Sequence, residues 1–338
     1  MFGKLERASE VLREAWLVSR APPNEAIFRR LGSLADDRMG QTQRRGLQRY
    51  LEEHPALGEI AIDEDWHYHK ASEEMRLDYS NSLFARGCLR VKPGPEEHGL
   101  IVFLPGYQAG AEDVLGRGNH RQNLRHVADE LEMGIASWDW PLQGLRRDGC
   151  LYRGLGSVYS GEREYSRILP ALGTCLWREL IAELQFALGQ IRRCIGPDRS
   201  IHVVGWSMGG WFAYPAPLLG TRITTTTAAG SCARITDLLA EGKTRLHGYF
   251  FYPLNALTYF DLEDVVRDVL NQGHPLHIIH GERDTGCLES TRKALAQTAA
   301  QLARPLHINV LPAHGHLFSE LLKQHIADWL LEHRNQFE

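Results

Sequence analysis

Ser200-Ile201-His202-Val203-Val204-Gly205-Trp206-Ser207-Met208-Gly209-Gly210 reads as a short strand that turns sharply into a helix. A β-branched run ends in Gly-x-Ser-x-Gly, and the helix-compatible residues Trp211, Phe212, Ala213 and Tyr214 follow at once. This is the sequence form of a nucleophile elbow, which holds a serine hydroxyl up at the edge of a sheet. Glycines flank the serine because a side chain in so tight a turn would strike the neighbouring strand and helix.

On both sides of the elbow, short strands alternate with helices from about residue 73 onward. The patterning predicts strands at Met75–Tyr79, Ala85–Val91, Leu100–Leu104, Gly134–Trp138, Ile201–Val204, Ile223–Thr227, Leu276–Ile279 and Leu306–Leu311. Leu100–Leu104 is continuously apolar, as a parallel strand buried on both faces should be. Helices are expected at Asn119–Glu132, Leu176–Ile195, Ser207–Leu218, Glu289–Leu302 and Leu317–His333. The alternation argues for a three-layer α/β domain with a mostly parallel sheet over 73–338. Two stretches break the rhythm after strand ends, near 141–175 and 231–265, and are read as cap-like segments lining a site. Residues 1–72 lack a strand signal. Leu5, Ala8, Leu12, Ala15 and Trp16 share one helical face, Pro22-Pro23 ends that helix, and a second helix is expected over Asp37–His54. This segment is read as a helical extension that packs on the main body or joins two copies of the chain.

A serine hydroxyl needs a base to become a nucleophile, and the base needs an orienting acid. After an elbow serine the order to look for is acid, then histidine. The predicted strand Leu276–Ile279 continues through His280 into Gly281-Glu282-Arg283-Asp284. Asp284, beyond the glycine turn, is the favoured acid and Glu282 the alternative. The last strand leads into Pro312-Ala313-His314-Gly315-His316, where His316 is the favoured base and His314 the runner-up. Backbone N–H donors for an oxyanion are expected from Met208 and from the loop Leu104-Pro105-Gly106-Tyr107-Gln108. Tyr107 is the choice there and Gln108 the alternative.

These motifs together resemble the α/β-hydrolase superfamily over roughly residues 75–335. The resemblance implies a sheet of eight strands with only one antiparallel. Tyr252-Pro253, Tyr259-Phe260-Asp261-Leu262 and Pro275–Glu282 are similar to the dienelactone hydrolase and acetyl xylan esterase-like branch. The oxyanion loop departs from the frequent His-Gly pattern with Pro105-Gly106, a change that leaves the backbone donor in place.

Composition bounds the rest. Of 338 residues, 43% are hydrophobic and 24% charged, ordinary for a globular chain. A net charge of −4 makes no electrostatic case for nucleic acid or an anionic membrane. The charged N-terminus lacks a signal peptide's apolar run, and six scattered cysteines read as free thiols of a cytoplasmic protein. Histidine groups (His67 with His69; His274, His277 and His280; His314 with His316) have no confirming ligands nearby in sequence, so neither metal nor cofactor is expected. Trp138, Trp140, Tyr152, Tyr159 and Tyr165 read as core and cap, and Arg146 and Arg147 as solvated loop charges. The sequence therefore predicts a serine hydrolase of a small carboxylic ester. Amide or thioester cleavage, acyl transfer, and a non-catalytic binding protein on the same fold are the alternatives.

Overall fold

A computed structural model describes residues 44–70, 72–84, 86–107, 109–115, 123–142, 146, 165–241, 253 and 256–334. Among the described residues nine strands form one sheet: β1 (Ile60–His69), β2 (Glu74–Asn81), β3 (Gly87–Lys92), β4 (Leu100–Leu104), β5 (Gly134–Trp138), β6 (Ile201–Trp206), β7 (Thr225–Ala229), β8 (Leu276–Gly281) and β9 (His307–Leu311). Their order is β1-β2-β3-β5-β4-β6-β7-β8-β9. The pairs from β5 to β9 are parallel, while β1–β2, β2–β3 and β3–β5 are antiparallel. Two strands, β1 and β3, thus run against the other seven, where one of eight was expected.

The extra strand is β1, inside the segment expected to be helical. Its burial is almost wholly exposed or intermediate, and register shifts interrupt it after Ile62 and Glu64. An edge strand wetted on both faces has no apolar alternation to read, and its charges blunt the edge against further pairing. The helix expected over Asp37–His54 is present as α1 (Leu47–Glu53) among the described residues. Leu47 and Tyr50 are fully buried in the main core, and Gly46 N–H donates to Tyr259 O at 2.7 Å. Residues 44–54 therefore pack on the body of the same chain.

The remaining helices are α2 (Ala111–Leu115), α3 (Arg125–Glu130), α4 (Leu176–Ile195), α5 (Met208–Ala213), α6 (Ile235–Ala240), α7 (Ala256–Tyr259), α8 (Leu262–Asn271), α9 (Glu289–Leu302) and α10 (Glu320–His333). Alternate residues of β4 enter two separate cores, which makes the three layers. Leu100, Val102 and Leu104 belong to the core that also takes in α4, α8 and α9, whereas Ile101 and Phe103 belong to the one that takes in α2, α3 and α10. The α4 helix buries Trp177, Leu180, Ile181, Leu184, Leu188 and Ile191 at three- and four-residue spacing, so one stripe faces the sheet. The chain builds outward from β4, to β5 on one side and β6 on the other. Such a switch point opens a crevice at the carboxyl ends of the strands, where ligands bind in sheets of this kind. No helix among the described residues is long and apolar enough to cross a membrane.

The face covered by α10 is rich in histidine. Trp329 packs against His277 at 5.0 Å, His307 at 4.8 Å and His333 at 3.8 Å between ring centroids. Burial lowers His202 to about 4 and His277 to about 3, helped in both cases by neighbouring histidines. Unfolded, both titrate near 6.5. As pH falls below 6.5 the unfolded chain takes up protons that the fold refuses, so stability is complete above that value and declines toward pH 4. For two histidines the loss between pH 7.5 and 5.5 is about 3 kcal/mol. Urea unfolding midpoints should fall accordingly over that interval, and an unchanged midpoint would contradict the neutral burial of these rings.

Candidate active site

Ser207 follows β6 with φ 52° and ψ −112°, a left-handed backbone that a non-glycine residue adopts only under constraint. Its N–H donates to Ala229 O at the end of β7 at 2.8 Å, which holds the turn upright. Gly209 lies so close to β4 that a Cβ there would collide with the Leu104 carbonyl. That contact sets the first turn of α5 beside the Leu104-Pro105-Gly106-Tyr107 loop, so Met208 and Tyr107 belong to adjoining backbone segments. Asp139 and Asp113 pin the loop's far end: Ala111 N–H donates to Asp139 Oδ1 at 2.8 Å and Gly110 N–H to Asp113 Oδ2 at 2.9 Å. Burial pushes the Asp139 carboxyl up. Gln108, the alternative donor, lies outside the described residues.

The β8–α9 and β9–α10 loops are laced together. Glu282 N–H donates to Leu311 O and Arg283 N–H to His314 O, both at 2.8 Å. His316 comes to rest between the other two predicted residues. Its Nε2 lies 2.9 Å from Ser207 Oγ, and its Nδ1 lies 2.9 Å from Asp284 Oδ2. With Nδ1–H donating to the carboxylate, Nε2 is left to accept the serine proton. Asp284 is only 4% exposed and also accepts from Gly286 N–H at 2.9 Å, whereas the His316 side chain is 44% exposed. The arrangement is a dry acid, an accessible imidazole and a hydroxyl in one hydrogen-bonded line.

Neither alternative joins this line. Glu282 Oε2 accepts from Ala313 N–H at 2.8 Å and so braces the histidine loop from behind. His314 Nε2 is buried with no hydrogen-bond partner.

Several contacts around the site were illegible in the sequence. The Trp206 indole stacks on the His316 ring, with centroids 4.7 Å apart and planes at 27°. Arg146, expected to be solvated, is 2% exposed and pairs with the fully buried Glu183 on α4. Its guanidinium found an acid 37 residues on, through tertiary packing that local composition does not encode. Arg147, Tyr152 and Tyr159 lie outside the described residues, as does most of the first cap-like stretch and part of the second. Trp138, Trp140 and Tyr165 are core residues, as expected. Asp261 closes a capping box with Asp264 at the start of α8 and also accepts from Ile235 N–H and Thr236 N–H, tying α6 to α8. Its Asp-x-x-Asp spacing was the available signal.

Among the described residues, one set brings three metal-ligating side chains within reach of one another: Glu64, His67 and Asp78, on the exposed β1–β2 ribbon. Arg76 already lies 3.6 Å from Asp78 there. His69 contacts Ser72 at 3.0 Å instead of joining His67. Five described cysteines, Cys88, Cys175, Cys194, Cys232 and Cys287, are free thiols.

No protein-family model matches the chain, and no curated protein matches it in sequence. Solved structures do. A proposed acetyl xylan esterase from Bacteroides fragilis NCTC 9343 superposes with a TM-score of 0.57 at 15% identity, covering 84% of this chain and 75% of that one. Acetyl xylan esterase 1 from Thermoanaerobacterium sp. JW/SL YS485 gives 0.53 at 16% identity, over 86% of this chain and 95% of that one. The acetyl xylan esterase from Paenibacillus sp. R4 gives 0.51 at 16% identity, over 90% and 94%. At identities this low a common backbone speaks for architecture alone, and the architecture that these proteins share with this chain is the α/β-hydrolase fold.

Proposed function

We propose that the chain is a serine hydrolase that cleaves carboxylic esters through an acyl-enzyme on Ser207. The observation that carries this reading is the unbroken line from Ser207 Oγ to His316 Nε2 and from His316 Nδ1 to Asp284 Oδ2, each step 2.9 Å. His316 takes the hydroxyl proton as Ser207 attacks the acyl carbon, and Asp284 stabilises the imidazolium that forms. The N–H groups of Met208 and Tyr107 receive the oxyanion. His316 then protonates the departing alcohol, and water activated by the same histidine releases the acid. Similarity to acetyl xylan esterases makes short-chain acyl esters the first substrates to try, by analogy of fold.

A fluorophosphonate probe tests the nucleophile without knowledge of the substrate. Stoichiometric labelling at Ser207, absent from Ser207→Ala, is expected alongside turnover of p-nitrophenyl acetate. Folded wild-type protein that takes up no label would favour a binding role over catalysis.

A further inference from the structure

We infer that Trp206 is a positioning residue that fixes the His316 ring and stabilises the imidazolium formed as Nε2 takes the serine proton; this rests on the serine-hydrolase reading above. The indole is 5% exposed, stacked on His316 at 4.7 Å and 27°, and packed against Phe318 at 5.2 Å. Gly230 completes the seat. Its φ is +62°, and a Cβ at that position would run into the six-membered part of the indole. The bare Cα of Gly230 thus leaves space for the indole, and the His316 imidazole stacks on it.

The chemical consequence follows from the charge that His316 gains. When Nε2 accepts the serine proton, the ring becomes a cation lying over an aromatic face, and the indole quadrupole attracts it, more strongly than phenylalanine's would. The other groups around the ring are Asp284 at its Nδ1 edge and Ser207 at its Nε2 edge. On α10 the Lys323 ammonium lies over the Phe318 ring at 5.7 Å and is paired with Glu320 at 2.8 Å. In the neighbouring loops, Arg283 is bonded through its backbone to His314, whose ring has no hydrogen bond to His316, and His280 Nδ1 contacts Gly281 O. Asp284 and Trp206 thus share the stabilisation of the imidazolium, one from the edge and one from the face.

The test is the pH profile of kcat/KM for p-nitrophenyl acetate, with fluorophosphonate labelling in parallel. Trp206→Leu should lower kcat about ten-fold with KM nearly unchanged, and should move the acid limb down by about half a pH unit or more. Trp206→Phe should recover part of both effects. Biosynthetic replacement of tryptophan by 5-fluoro- and then 5,7-difluorotryptophan weakens the quadrupole at nearly constant shape. It should shift the limb downward in steps, and this series decides the matter if the leucine variant does not fold. Labelled, active protein whose acid limb stays put or moves upward across the fluorinated series would overturn the inference alone. Wild-type protein that is never labelled would remove the base reading and this inference with it.

Discussion

Replacing His316 with alanine is expected to reduce kcat for ester hydrolysis by about 10⁴- to 10⁶-fold while leaving the fold intact. The size of the effect follows from the geometry. His316 contacts both Ser207 Oγ and Asp284 Oδ2, so its loss leaves the hydroxyl without this base and the carboxylate without the ring it orients. Ser207→Ala should be equally damaging. Asp284→Asn should cost less, about 10⁴-fold, because the amide still occupies the site but fails to stabilise the imidazolium. Glu282→Gln is the control: its carboxylate accepts from Ala313 N–H and not from the His316 ring, and an amide oxygen can accept the same bond. Steady-state kinetics on the four variants, with circular dichroism to verify folding, check the assignment. If Glu282→Gln were the damaging change and Asp284→Asn the mild one, the acid would be misassigned.

Arg146→Ala is expected to destabilise the protein by about 3–5 kcal/mol, the usual cost of leaving one partner of a buried ion pair alone. The side chains of Arg146 and Glu183 are 1% and 0% exposed. Glu183 also accepts from Tyr79 Oη at 2.5 Å and Asn81 Nδ2 at 3.1 Å, while Arg146 donates to the Asp139 carbonyl at 3.1 Å. The cluster joins β2, the end of β5 and α4. Removing the guanidinium strands a carboxylate inside it. Against a typical total stability of about 5–15 kcal/mol, that loss is severe. Arg146→Met combined with Glu183→Leu should be less harmful than Arg146→Ala, because no lone charge remains. Urea unfolding of both proteins provides the comparison, and a loss below about 1 kcal/mol in Arg146→Ala would show that the pair contributes little to holding β2, β5 and α4 together.

All eight predicted strands are present, with β4, β5 and the helices α4 and α9 at their expected bounds. The reason is that β4 and β5 are buried on both faces and α4 and α9 on one stripe, so burial writes a pattern into the residue order. The ribbon strand β1 escaped because pairing with β2, not apolar burial, makes it a strand. Trp206 was visible only as the variable residue of the elbow motif. Its stacking on His316 depends on the β9–α10 loop reaching over β6, which no local pattern records.

Taken alone, the sequence determined the strand–helix alternation, the strained serine turn and the order of acid and histidine after it, since each depends on backbone preferences within a few residues. It left Glu282 and Asp284, and likewise His314 and His316, as pairs two positions apart. Which member of each pair joins the hydrogen-bonded line to Ser207 is a matter of tertiary structure. Ser207 and His316 are 109 residues apart and His316 and Asp284 are 32 apart, and only the parallel order β6-β7-β8-β9 brings their loops to one edge. There the turn after Gly281 directs Glu282 back to the Ala313 backbone and Asp284 inward to the imidazole. Which side chain meets which is a property of sheet order and loop geometry, and both are long-range.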